Sequence, residues 1–159
     1  MTNILSVKNL CVTFELQDET IYAVDNLDFN LKSGSTLGIV GESGSGKSVT
    51  SLAIMGLLDK SISKITGEIF FENRDLTKLT ESEFRKVRSQ EISMIFQDSL
   101  AALHPYYRVG SQIAEVYRAH NKVSRKESRI RAIDMLEKVG IPDPHKRVRD
   151  YPHQFSGGM

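Results

Sequence analysis

The chain has 159 residues, 40% of them hydrophobic and 26% charged, which suits a globular domain with a buried core and excludes a disordered or low-complexity chain. Its net charge of +1 supplies no global field for nucleic acid or a membrane surface, and its single cysteine, Cys11, excludes an internal disulfide or a cysteine-built metal site. The N-terminal MTNILSVKNL lacks the apolar run of a signal peptide, and no run reaches the ~20 apolar residues of a membrane helix, so any membrane role is expected to be peripheral.

In chain order, Ile4 to Phe14 is rich in β-formers with partial alternation and reads as a strand, with Cys11 as a small core residue. Ile21 to Leu31 reads as a second strand. Thr36 to Val40 is a short apolar run of the kind that forms a buried parallel strand. A glycine-rich loop follows, then a helix from Lys47 to about Leu58, and Gly67 to Asn73 is a further strand. Thr80-Glu81-Ser82-Glu83 is a capping box that opens a helix to about Ser89. Ile92 to Phe96 is a second buried-strand run. Val109 to His120 is helical. Ser124-Arg125-Lys126-Glu127 is another capping box, and its helix carries Ile130, Ile133, Met135, Leu136 and Val139 before stopping at Gly140. Antiparallel strands, then strand–loop–helix, then a helical segment predict an α/β nucleotide-binding core with a helical insertion. From Arg118 to Asp150 the chain carries a local charge of +5, leaving about −4 elsewhere. Such a stretch is a solvated helical face or a surface for membrane phospholipid or an acidic partner.

The loop Gly41-Glu42-Ser43-Gly44-Ser45-Gly46-Lys47-Ser48 fits G-x-x-x-x-G-K-[ST] at every fixed position. The glycines let the backbone wrap phosphate oxygens, and the loop amides with the start of the next helix, through Val49, supply positive potential. Lys47 is placed to reach the β- and γ-phosphates of ATP, and the Ser48 hydroxyl to ligate Mg²⁺. By itself the loop states only P-loop nucleotide binding, shared by kinases, GTPases, helicases and transport ATPases.

Phe96-Gln97-Asp98 after a predicted strand and Phe155-Ser156-Gly157-Gly158-Met159 narrow that choice. They resemble the Q-loop and signature sequence of ABC transporter ATPases. The runs Leu37 to Ser48, Ser93 to Asp98, Val109 to Glu115 and Tyr151 to Met159 resemble the dipeptide/oligopeptide/nickel importer branch. Two positions depart from it: Ser99 stands where Pro is usual, and Leu103-His104-Pro105 stands for L-N-P.

The resemblance implies an α/β P-loop NTPase fold, with a β-rich region and P-loop core over residues 1–98 and a helical subdomain over 99–159. It implies that Phe14, or its rival Tyr22, stacks on adenine, and that Gln97 joins Ser48 at Mg²⁺ and acts in catalysis. Ser156, Gly157 and Gly158 would contact the γ-phosphate held by a second ATPase subunit. Transmembrane permease subunits would dock on Leu100, Leu103, Tyr106, Tyr107 and Ile113, at the cytoplasmic face of the membrane, with an extracytoplasmic peptide-binding protein as an indirect partner. The implied function is powering peptide import; the cargo stays open among dipeptides, longer peptides, nickel and glutathione. In the family, a Walker B Asp and Glu, a switch His and a C-terminal extension follow the signature. The 159 residues are therefore expected to bind ATP without hydrolysing it; the other reading is a non-catalytic fragment that binds nucleotide or permease weakly.

Overall fold

The structure is a computed structural model that describes residues 2–97 and 102–159. The chain divides into two compact units, Met1–Met94 and Ile95–Met159.

The first unit is built on an antiparallel sheet of order β2-β1-β3-β4. Its strands are β1 (Asn3–Glu15), β2 (Thr20–Lys32), β3 (Ser63–Phe71) and the short β4 (Arg74–Asp75). The alternation of β1 is only partial because its pairing with β2 shifts register between Val7 and Leu10, between Leu10 and Val12, and again between Val12 and Thr13. At the first shift Asn9 takes φ 47° and its N–H donates to Asp28 Oδ1 at 3.0 Å. Irregularities of this kind re-aim the side chains that follow, so Val7, Leu10 and Val12 all reach the core at 0–1% exposure despite their uneven spacing. Cys11 is half-buried, not a core residue: Leu10 and Val12 on either side of it reach the core, while its Sγ accepts the Asn26 N–H at 3.3 Å.

Two helices cover this sheet. α1 (Lys47–Ile54) buries Thr50 and Ala53, and α2 (Glu81–Gln90) buries Phe84 and Val87. Ala53, Phe84 and Val87 join the inward side chains of β1, Val24, Ile69, Phe71 and Leu76 in one cluster. α1 is shorter than expected, leaving the helix at Met55 and not at Leu58. The start of α2 is a full capping box. Thr80 N–H and hydroxyl both donate to Glu83 Oε2, at 2.8 and 2.6 Å, and Thr80 Oγ1 accepts the Glu83 N–H at 3.4 Å. The hydroxyl bond first, then the backbone bond, holds the Glu83 carboxyl below its ordinary range. The cap is therefore present at neutral pH and weakens as pH falls through that lowered value.

Neither predicted parallel strand forms. Thr36 to Val40 and Ile92 to Phe96 have no strand assignment. Val40 is 96% and Ile95 92% exposed. A strand exists through its hydrogen-bonded neighbours, and no described strand pairs with either run. The sequence pattern of buried strands is intact, but the burial that an apolar side chain would gain, about 1.5–3 kcal/mol, is not realised at Val40 or Ile95, whereas Ile92 still packs against the core.

The second unit is helical: α3 (Val109–His120), α4 (Arg125–Lys138) and α5 (Pro144–Arg147). Val109, Ala114, Ala132, Leu136, Ile141 and Val148 form its core. Ser124 caps α4 by accepting the Glu127 N–H at 3.1 Å. The start of α3 is tied to the end of the unit, with Val109 N–H on the Asp150 carbonyl at 2.9 Å and Gly110 N–H on that of Val148 at 3.1 Å.

Candidate functional site

The glycine-rich loop runs from Gly41 into the first turn of α1, with Gly46 as the N-cap and Lys47 as the first helical residue. Gly46 has φ 84°, and a Cβ built on it would stand 2.4 Å from the Ala23 carbonyl oxygen. Ala23 is the residue left over where Val12 pairs with Val24 and Thr13 with Tyr22. The loop thus leans on an irregularity of β2, a contact that no motif in the sequence announced.

Lys47 folds back over the loop. Its ammonium donates to the Gly41 carbonyl at 2.8 Å, the Glu42 carbonyl at 2.5 Å and Ser45 Oγ at 3.1 Å. Among the described residues, three neutral acceptors and no carboxylate hold this cation, so its charge is available to an incoming anion. Ser45 N–H donates to the Glu42 carbonyl at 3.2 Å, which rounds the loop into a turn. The amides that begin α1 lack carbonyl partners within the helix and carry the positive end of its dipole; the Thr50 N–H closes back on the Gly46 carbonyl at 2.8 Å. Ser43, Gly44 and Ser48 are exposed around the loop, while Val49 packs its side chain against the core. Donor amides, an unneutralised ammonium and an exposed hydroxyl make a seat for a polyanion such as a nucleotide triphosphate. One hydroxyl suits Mg²⁺, which takes few protein ligands and completes its shell with phosphate oxygens and water.

The two aromatic candidates differ in setting. Phe14, paired with Ile21 and Ser63, is half-buried against the sheet core. Tyr22 on the outer strand is 75% exposed.

In the second unit Gln97 is exposed, and Asp98, Ser99 and Leu100 lie outside the described residues. Phe155 is half-buried against the helical core, with the Arg147 guanidinium 5.9 Å from its ring. It anchors a turn in which Ser156, Gly157 and Gly158 are exposed and the Met159 N–H donates to the Ser156 carbonyl at 3.0 Å. Of the expected docking residues, Leu103 and Ile113 pack on the helical core, whereas Tyr106 and Tyr107 are 83% and 60% exposed. Gln112 braces their loop, donating to the carbonyls of His104 and Tyr107 at 3.0 and 2.9 Å. Among the described residues, no helix is long and apolar enough to cross a membrane.

Residues 24–159 match the ABC transporter family. The chain is 51% identical, over its whole length, to the dipeptide transport ATP-binding protein DppD of Bacillus subtilis, of which the match covers 48%. It is 48% identical, over 98% of its length, to the oligopeptide transport ATP-binding protein OppD of Escherichia coli, of which the match covers 46%. The chain thus spans about half the length of the curated relatives it matches. Among solved structures it resembles a dimeric ATP-binding cassette in a post-hydrolysis state bound to ADP and Pi, with a TM-score of 0.80 and 29% identity over 97% of this chain and 64% of that one.

Proposed function

The chain belongs to the ABC transporter family, as an α/β P-loop ATPase cassette, and from that premise we propose that it binds Mg-ATP through Gly41 to Val49 as part of the ATP-binding subunit of a peptide importer. The observation that carries this reading is the Lys47 ammonium, held over the loop by the Gly41 and Glu42 carbonyls and Ser45 Oγ with no carboxylate among the described residues to neutralise it. Lys47 holds the phosphates in place, the loop amides orient them, and the Ser48 hydroxyl is the ligand offered to Mg²⁺. When bound, Mg²⁺ neutralises charge on the phosphate oxygens.

The names of the relatives support dipeptide or oligopeptide transport as the process powered. The solved dimer supports a two-subunit arrangement in which Ser156, Gly157 and Gly158 reach nucleotide bound to a partner. In this reading Gln97 senses Mg-nucleotide, Tyr106 and Tyr107 face a permease subunit at the cytoplasmic side of the membrane, and an extracytoplasmic binding protein delivers cargo.

The same reading makes Phe14 the ring that stacks on adenine. Equilibrium binding of a fluorescent ATP analogue to Phe14→Ala and Tyr22→Ala, with and without Mg²⁺, tests it. The larger loss is expected at Phe14, on the order of the 1–3 kcal/mol that base–aromatic stacking contributes. A larger loss at Tyr22 moves the base to the exposed ring. Binding indifferent to Mg²⁺ and to both substitutions would count against nucleotide binding at this loop.

A further inference from the structure

The local charge surplus of the second unit is not spread evenly over a solvated face. Arg108, Arg118, Arg125, Arg129 and Arg149 line a single cavity of about 340 Å³. They come from the loop before α3, the end of α3, the first turns of α4 and the segment after α5. Its floor is neutral: Gly110, Ser111, Ala114, Ser128 and Val148. Among the described residues, no Asp or Glu lines it. Among the described residues, the ion pairs of this unit are made instead by Arg131, Lys138 and Arg147. Arg108 has an aromatic neighbour, its guanidinium 6.0 Å from the Tyr151 ring.

Like charges brought to one concavity repel, and a fold that gathers five of them without a carboxylate leaves that repulsion for a bound anion to relieve. The lining is also selective in kind. Lys122, Lys126 and Lys146 lie in the same stretch of sequence, yet every cation at the cavity is an arginine. A guanidinium presents a rigid fork that matches phosphate oxygens two at a time. Five forks exceed what one carboxylate can accept and suit a group with several charged oxygens. The α3 N-terminus is not the donor here, since its leading amides are taken by the Asp150, Val148 and Arg108 carbonyls.

We propose that this arginine-lined cavity is a second phosphate site, separate from the glycine-rich loop, which takes a phosphate-bearing anion supplied by a lipid headgroup or a small soluble phosphate compound.

The test uses the 159-residue chain carrying Lys47→Ala, so that the glycine-rich loop does not compete. Inorganic pyrophosphate is titrated calorimetrically, and co-sedimentation is measured with phosphatidylcholine vesicles with and without phosphatidylglycerol. Arg118→Gln/Arg129→Gln is compared with Lys122→Gln/Lys126→Gln, which removes the same charge from the same stretch outside the cavity. All four side chains are exposed, and Arg118→Gln alone serves if the double variant is poorly behaved. A loss of about tenfold or more in the arginine variant, against less than about twofold in the lysine variant, is the expected result. Pyrophosphate binding without vesicle binding identifies a soluble phosphate source, and binding to phosphatidylglycerol vesicles alone identifies a headgroup. Equal losses in the two variants, no binding in either arm, or binding of poly-glutamate as tight as that of pyrophosphate would overturn the proposal.

Discussion

Gly46→Ala is expected to lower the stability of the first unit by about 1–3 kcal/mol and to remove measurable nucleotide binding. Two effects act at this position. The backbone sits at φ 84°, a conformation that an L side chain adopts only under strain. The new Cβ would also stand 2.4 Å from the Ala23 carbonyl, so either the loop or β2 must shift. Gly34 separates the two. It has φ 74° with nothing within 4 Å of a built Cβ, so Gly34→Ala carries the conformational strain without the collision. Thermal unfolding of both variants, alongside fluorescent-nucleotide binding, is the measurement. Gly34→Ala should lose roughly 1 kcal/mol and keep its nucleotide affinity. If Gly46→Ala unfolds no earlier than Gly34→Ala and still binds nucleotide, the lean of the loop on β2 does not shape the site.

The second large effect concerns turnover. The 159 residues by themselves are expected to release no phosphate from Mg-ATP above background. Phosphoryl transfer to water depends on positioning and charge stabilisation, and the attacking water must be oriented in line. The loop supplies an ammonium, amides and a hydroxyl, all of which hold phosphate. Its one carboxylate-bearing residue, Glu42, meets the ammonium through its backbone carbonyl. The family resemblance assigns the water to a Walker B glutamate, a group that the glycine-rich loop itself does not supply. Phosphate release by the purified chain that disappears with Lys47→Ala would refute this, because contaminating ATPases would be unaffected by the substitution.

Much of this architecture is written locally in the chain. β1 and β2 lie within a residue or two of their expected ends, α3 spans Val109–His120 as its pattern predicts, and the Thr80–Glu83 capping box forms in full, whereas at α4 only the Ser124 half of the expected box forms, accepting the Glu127 N–H. Those features depend on neighbours in sequence: a side-chain cap three residues away, or an apolar stripe at helical spacing. Thr36 to Val40 and Ile92 to Phe96 depend on something else. Their apolar composition specifies a strand buried on both faces, but the hydrogen bonds that define it must come from other strands, and none is present among the described residues.

The site was legible to a similar extent. Lys47 and Ser48 are fixed by the motif, and the structure adds how the cation is held. The support of Gly46 by Ala23 is not a motif property, since it arises from a register shift that only the folded sheet reveals. The arginine cavity was visible in sequence as a charge surplus between Arg118 and Asp150, but Arg108 lies outside that stretch. Its convergence is a product of how α3 and α4 pack and where the chain after α5 returns.

Calorimetric titration of Mg-ATP into the chain and into Lys47→Ala tests the central claim most directly. Among the described residues the ammonium is held by the Gly41 and Glu42 carbonyls and Ser45 Oγ, and its removal takes the one full positive charge from the loop without disturbing a buried contact. A charged hydrogen bond contributes about 1.5–3 kcal/mol, so losing contacts to two phosphates should weaken binding by about 100-fold or more. The account predicts saturable binding by the unsubstituted chain that falls below detection in Lys47→Ala. Equal affinity in the two proteins would contradict it.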